Sequence, residues 1–345
     1  MRLSLHNGQT LRAALLSLAL IASAGASRAQ LVPNLGGQRA GISAFQFLKI
    51  GAGARGSALG ESFVAIANDA SATYWNPAGL TQFSDNEVIA THTWYVVDIG
   101  HESFAGAYHL SPSDALGFSV ISLHTAAMPV TTETQPFGTG AFFTYGDVAL
   151  GLSYAKKMTD QFSFGLTLRY VDETLDVLHM RGLVADLGTY YWTGLGSSRF
   201  AVVVSNFGAD VSPSGQATQF SGAQVSSFQS FSPPTQFKIG FAMETLETPD
   251  SHVTTSLELN HPNDNAENVH LGIEYQWEQW LWFRGGVKRT IGERLLGRDD
   301  ATSNDVTIGL GVAAPLAAHR VVVDYAFANY NTLGGVHRIS LGMTF

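Results

Sequence analysis

The run Gly51-Ala52-Gly53-Ala54-Arg55-Gly56 has the spacing G-x-G-x-x-G. Such a run cradles a pyrophosphate when it joins a strand to a helix in a βαβ unit and an acid follows about 20 residues on. Here Asp69 comes too early, and no strand–helix alternation surrounds the run. The glycines are better read as tight turns and points of close packing. The 11 histidines are scattered, several at the ends of extended segments (His101, His109, His179, His252, His319). No G-x-S-x-G or H-E-x-x-H occurs. The acid pairs Asp172-Glu173 and Asp299-Asp300 read as solvent-facing. With no cysteine, thiol catalysis, disulfide scaffolds and Cys-based zinc sites are excluded. The 19 Lys+Arg against 28 Asp+Glu, with no basic run, argue against nucleic-acid binding. The expectation is a non-enzymatic chain with no cofactor and no metal.

The composition points elsewhere. Charged residues are 14%, against about 25% in ordinary soluble domains. Aromatics are 11%, hydrophobic residues 45%, and there are 36 glycines, which excludes intrinsic disorder. Residues 1–29 read as a cleaved secretory signal peptide. Arg2 and Arg12 precede an apolar stretch over 13–22, and Ser27 and Ala29 form a small-residue cleavage site. That stretch is shorter than the ~20 residues a spanning helix needs. No later run is long enough either, so any membrane crossing must be through strands.

From Glu87 onward the period is two, the mark of strands with two unlike faces. Phe162, Phe164, Leu166, Leu168 and Tyr170 share one face, and Ser163, Gly165, Thr167 and Arg169 the other. Val269, Leu271, Ile273, Tyr275 and Trp277 oppose His270, Gly272, Glu274 and Gln276. Ile339, Leu341, Met343 and Phe345 oppose Arg338, Ser340, Gly342 and Thr344. Fourteen strands are expected, starting near residues 87, 102, 114, 142, 161, 179, 198, 236, 252, 268, 280, 305, 319 and 335. Those from Glu87 and Asp114 alternate poorly. The bulky face suits lipid. The other carries small residues and charges: Arg169, Asp186, Lys238, Glu244, Glu258, Glu274, Arg284, Lys288, Asp324 and Arg338. Backbone in hydrocarbon must satisfy itself, so such a sheet closes into a barrel with a polar interior.

Connection lengths agree. All the long ones (126–141, 208–235, 291–304) follow odd-numbered strands, and the connections after even-numbered strands are short. Outer-membrane barrels have short periplasmic turns and longer external loops. Aromatics gather near strand ends (Trp94, Tyr95; Tyr190, Tyr191, Trp192; Trp277, Trp280, Trp282; Tyr325, Phe327, Tyr330), as interface girdles do. Phe345, on the apolar face of the last strand, is the candidate assembly signal. The fold class is therefore an all-β transmembrane antiparallel barrel over 87–345, in the outer membrane of a Gram-negative bacterium and bathed in its lipid.

Residues 30–86 are not strand-like. Leu59, Phe63 and Ile66 fall at helical spacing, which predicts a short amphipathic helix over 57–67. In Tyr74-Trp75-Asn76-Pro77-Ala78-Gly79-Leu80, Asn76 can cap a helical turn that Pro77 starts. A barrel of fourteen strands is too wide for wall side chains alone to fill. This segment is expected to be a hatch in the periplasmic mouth.

The run from Phe47 to Leu80, FLKIGAGARGSALGESFVAIANDASATYWNPAGL, resembles the PorV/PorQ family of outer-membrane proteins associated with type IX secretion. Asn76-Pro77-Ala78 is similar, more distantly, to the hatch motif of the FadL fatty-acid transporter family. The resemblance implies a fourteen-stranded barrel with an N-terminal plug. Gly56, Gly60, Asp69, Trp75, Asn76, Pro77 and Ala78 would form its hatch motif. It also implies partners, namely the secretion translocon and secreted proteins carrying C-terminal signal domains. These would be met on the external loops 126–141 and 208–235, the second with Phe220, Phe228, Phe231 and Pro233-Pro234. The alternative is a FadL-like channel for hydrophobic small molecules, which the many inward charges disfavour.

Overall fold

A computed structural model describes residues 41–219, 222–291, 306–317 and 319–345. The signal segment 1–29, residues 30–40, Phe220, the Asp299-Asp300 pair and most of the third long loop lie outside the described residues. No helix among those described is long and apolar enough to cross a membrane. The sheet crosses instead, as a closed antiparallel barrel of β1 (Glu87–Trp94), β2 (Gly100–Ser111), β3 (Asp114–His124), β4 (Tyr145–Lys157), β5 (Phe162–Leu175), β6 (Leu178–Trp192), β7 (Arg199–Gly208), β8 (Gln236–Glu247), β9 (Ser251–Pro262), β10 (Asn268–Trp277), β11 (Leu281–Thr290), β12 (Val306–Leu316), β13 (His319–Asn329) and β14 (Gly335–Thr344). Each strand pairs with its sequence neighbours. β14 closes onto β1, with Glu87 opposite Thr344 and Trp94 opposite His337. Every strand begins within about three residues of the position its alternation indicates.

The two faces sort as expected. Leu152, Leu168, Tyr170, Leu271 and Ile339 are exposed on the outside, while Arg169, Glu258, Glu274, Arg284 and Arg338 are buried inside. β3 alternates without a break despite its ambiguous sequence. Its Ile121 and Leu123 point inward and pack on Phe45, Phe47 and Leu48. Ile89 of β1 likewise packs against the inner cluster. The core lies in the lumen, where apolar side chains of the N-terminal segment meet small wall residues such as Ala105, Ala115, Ala155, Ala201 and Ala242. Small residues on the wall let the enclosed backbone come close.

Residues 41–86 run down the lumen from the long-loop end to the short-turn end. Ala44 N–H donates to Ser232 O (3.1 Å) in the loop before β8, and Asn86 O accepts from Phe345 N–H (2.9 Å) beside the start of β1. The segment therefore fills the height of the barrel and is not confined to the mouth. Its helices are short: α1 (Ala54–Ala58) and α2 (Ala72–Trp75), with 3-10 turns at Gln46–Lys49 and Pro77–Thr81. The expected helix over 57–67 does not form. Leu59, Phe63 and Ile66 are all buried. Gly60 and Glu61, however, both take φ of 65°, a left-handed conformation that ends α1 and turns the chain.

Outside the membrane, the loop over 209–235 folds back on the barrel. Val211 pairs with Phe231, and Phe231 packs on the inner cluster beside Phe45. Pro233 and Pro234 are buried. The loop over 125–144 is more open, with Phe137 fully exposed (101%) and Phe142 at 65%. Trp94, Tyr191, Trp277 and Trp280 lie exposed on the outer face as girdle residues. Tyr190 and Trp282 do not, because they are buried and turned to the lumen.

Candidate functional site

The centre of the N-terminal segment is Trp75, 1% exposed. Its indole N–H donates to Ala52 O at 2.8 Å. Phe63 and Tyr74 meet it edge-on, with ring centroids at 5.7 and 4.9 Å. Gly56 lies under the ring, where a Cβ would fall 2.7 Å from Cε2. The G-x-G-x-x-G run is thus a bed for an indole. Gly53, at φ 91°, turns the chain into α1.

Asn76 follows in extended conformation and caps the turn Pro77–Thr81, its Oδ1 accepting from Ala78 N–H at 3.1 Å. Its Nδ2 donates to Val64 O (2.8 Å) and to Thr189 O (3.1 Å) on β6. One side chain therefore joins a helical turn, a distant part of the segment and the wall. Ala78 is fully buried, and its backbone N and the Pro77 carbonyl press on Gly165 of β5. Gly60 makes a second seat. Its N–H donates to Thr307 Oγ1 (2.9 Å), and its Cα faces the Val287 backbone so closely that a Cβ would come within 2.7 Å of Val287 N.

Asp69 belongs to an ionic chain. Its Oδ1 accepts from Ser71 N–H (3.0 Å) and its Oδ2 pairs with Arg55 (2.9 Å). Arg55 also makes two bonds to Glu274 (2.9 and 2.8 Å), a fork-on-carboxylate geometry. Glu274 pairs in turn with Arg284 (2.6 Å), which reaches Asp324 (2.5 Å). Two guanidinium groups thus hold three carboxylates, fastening α1 to β10, β11 and β13. Farther along β11, Lys288 holds Glu61 at 2.5 Å. Burial opposes ionisation of Glu61, but Lys288 outweighs it and lowers the carboxyl to about 2.

Several wall groups cap segment backbone, and no pattern in the sequence marks them for it. Arg199 Nε and Tyr190 O–H both donate to Ala65 O (2.9 Å each). Arg169, ion-paired with Asp186, donates to Thr73 O (2.8 Å). Glu258 accepts from Phe63 N–H (3.1 Å) and Val64 N–H (3.2 Å), and Glu87 from Ala70 N–H (2.7 Å). The turns of the segment have few internal partners for these groups, and an unpaired buried amide or carbonyl is costly. Inward charge here mostly satisfies an irregular backbone. Phe345 sits apart, half-exposed (53%) on the outer face at the short-turn end.

Two polar cavities flank the segment. One, of about 340 Å³, opens toward the long-loop end and includes Lys49, Glu61, Lys238 and Lys288 in its lining. The other, of about 360 Å³, lies toward the short-turn end among Arg55, Asp69, Glu87, Arg284 and Arg320. Among the described residues no group of three or more His, Asp or Glu is arranged to hold a metal.

Solved structures with a similar fold include hydrocarbon channels and transporters. The chain is similar to the Pseudomonas putida toluene transporter TodX (12% identity, 85% of this chain and 96% of that one, TM-score 0.57). It is similar to the CymD monoaromatic hydrocarbon channel (14%, 86% and 97%, 0.56). It is also similar to the Ralstonia pickettii toluene transporter TbuX (12%, 91% and 98%, 0.53). At such identity the likeness is one of fold. No curated protein matches the sequence. The closed barrel with its apolar outer face supports an outer-membrane location. The family model for type IX secretion system protein PorV matches residues 35–262, which take in the lumen segment and the wall through β9. The chain belongs to the PorV family.

Proposed function

We propose that this protein is a non-enzymatic outer-membrane component of type IX secretion, engaging secreted proteins with C-terminal signal domains, or the translocon, through its long loops. The family match carries this reading. The fully exposed Phe137 supports it, because an unshielded aromatic on a polar loop suits a protein contact. The loop over 209–235 is the weaker candidate, since Phe231 is already packed. In this reading residues 1–29 direct export and are removed, residues 30–86 close the lumen, and Phe345 is read during barrel assembly. The test is crosslinking of the tagged full-length protein in cells, followed by capture. Secreted proteins or translocon subunits should be recovered, and recovery of neither sinks the reading. Deleting residues 30–86 should raise single-channel conductance of the assembled barrel above background.

The second reading is a channel for hydrophobic molecules, favoured by the shared fold with toluene transporters. Both lumen cavities count against it, because charged and amide side chains dominate their linings. Toluene uptake that depends on this protein in an otherwise channel-deficient strain would restore it.

A further inference from the structure

The cavity toward the long-loop end has an unbalanced lining. Two of its three lysines are neutralised: Lys288 by Glu61 at 2.5 Å and Lys49 by Asp264 at 2.8 Å. The third, Lys238, has no hydrogen bond or ion pair among the described residues. It lies on β8, pointing inward, and is 7% exposed. Its ammonium stands 5.6 Å over the Trp75 ring, which holds it in place without neutralising it. Glu258 lies two residues along the neighbouring strand; its Oε2 accepts from the N–H groups of Phe63 and Val64, and its Oε1 has no hydrogen-bond partner among the described residues. Opposite Lys238 across the β8–β9 pair is Asn260, also buried, whose Oδ1 has no partner. Glu258 attracts this ammonium through space but makes no hydrogen bond to it, so the donors of Lys238 are left open to the cavity. A cavity that takes an anion satisfies them.

Size and lining narrow the ligand. About 340 Å³ is at the small end of ligand pockets. Gln236 and Asn260 offer amides to hydroxyl groups, and the polar lining disfavours an alkyl chain. Gln236, Pro262, Asn268 and Thr290 stand at strand ends on the long-loop side, so entry from there does not require passage through the lumen segment.

We propose that this cavity binds an anionic, hydroxyl-bearing ligand of about monosaccharide size, with its carboxylate or phosphate on Lys238 and its hydroxyls on Gln236 and Asn260. The site stands whether or not the secretion reading holds.

The experiment is calorimetric titration of the full-length protein in detergent with glucuronate, glucose 6-phosphate, glucose and octanoate. Glucuronate or glucose 6-phosphate should saturate a single site, with glucose at least ~10-fold weaker, the loss expected for one charge-assisted contact. Tighter binding of glucuronate assigns a carboxylate ligand, and tighter binding of glucose 6-phosphate a phosphate one. Lys238→Gln should lower the affinity at least ~10-fold, with heat-modifiable migration on gels showing that the barrel still folds. Asn265→Asp adds a negative charge at the exposed rim and should weaken binding several-fold without touching the wall. Should Lys238→Gln fail to fold, the rim variant decides: an unchanged affinity overturns the proposal. It is also overturned if neither anion binds, if glucose binds equally, if octanoate alone binds, or if folded Lys238→Gln binds as tightly as the parent.

Discussion

Gly165 and Gly188 are direct partners across β5 and β6, and the Asn76-Pro77 step rests on the bare backbone they leave. A Cβ on Gly188 would stand 2.1 Å from Asn76 Oδ1, and one on Gly165 would stand 2.3 Å from the Pro77 carbonyl carbon. The arrangement repeats on the other side of the lumen. Gly272 and Gly286 pair across β10 and β11, and Leu59-Gly60 presses on both. Each seat removes two Cβ atoms from the wall at one height, where the enclosed chain comes closest. The segment is thus fitted to its barrel backbone to backbone, and side chains finish the contact.

Gly188→Ala is therefore expected to displace Asn76 without unfolding the sheet, because its own strand pairing tolerates a methyl group. The overpacking should cost about 1–3 kcal/mol. In planar bilayers the variant should show conductance events absent from the parent, while heat-modifiable migration on gels is retained. A variant as silent as the parent would mean that the seat does not position the segment.

Among the described residues, Arg55 is the single link between Asp69 and Glu274. Arg55→Met leaves Asp69 without its cation and Glu274 held by Arg284 alone, and breaking a buried pair in this way typically costs about 3–5 kcal/mol. The thermal midpoint in detergent should fall, and Arg55→Lys should recover only part of it, because an ammonium cannot make the fork to Glu274. Full recovery by lysine would show that charge alone matters.

Glu61 supplies a pH dependence whose sign follows from its pairing. Its carboxyl is held at about 2 in the folded protein, below its ordinary value of 4.5. The folded state therefore binds that proton less readily than the unfolded chain. The stabilisation is fully present above about pH 4.5 and is lost as pH falls toward 2. Its size is on the order of 3 kcal/mol. Thermal midpoints of the parent and of Glu61→Gln, compared across that window, should converge at low pH. A constant gap would place the stabilisation elsewhere.

The barrel was legible in the sequence because lipid and lumen make opposite demands on alternate residues, and strands such as β5 and β10 meet both along their length. Ile89, Ile121 and Leu123 blurred the pattern for a physical reason. The lumen of this barrel holds apolar clusters, so inward residues facing them are apolar too: Ile121 and Leu123 beside Phe45 and Leu48, and Ile89 beside the cluster of Phe63 and Trp75. Leu59, Phe63 and Ile66 misled in the opposite way. Their spacing is helical and all are buried, but turns at Gly60 and Glu61 bring them to the core. Trp75, Asn76 and Pro77 were recognisable as a motif. Their seats were not, because Gly165 and Gly188, or Gly272 and Gly286, come together only once strand register is known.

Phe137 gives the loop reading its sharpest test. A side chain fully exposed at the end of a long loop does nothing for the barrel, so Phe137→Ser should leave folding and midpoint unchanged, within about 0.5 kcal/mol. An aromatic anchor at a protein contact is worth about 2 kcal/mol or more when truncated. Capture of crosslinked secreted proteins should accordingly drop by roughly an order of magnitude or more. The double variant Phe137→Ser with Phe142→Ser should lower it further, since Phe142 is exposed on the same loop. Undiminished capture by the double variant would remove this loop from the contact and leave the exposed part of 209–235 as the surface to mutate next.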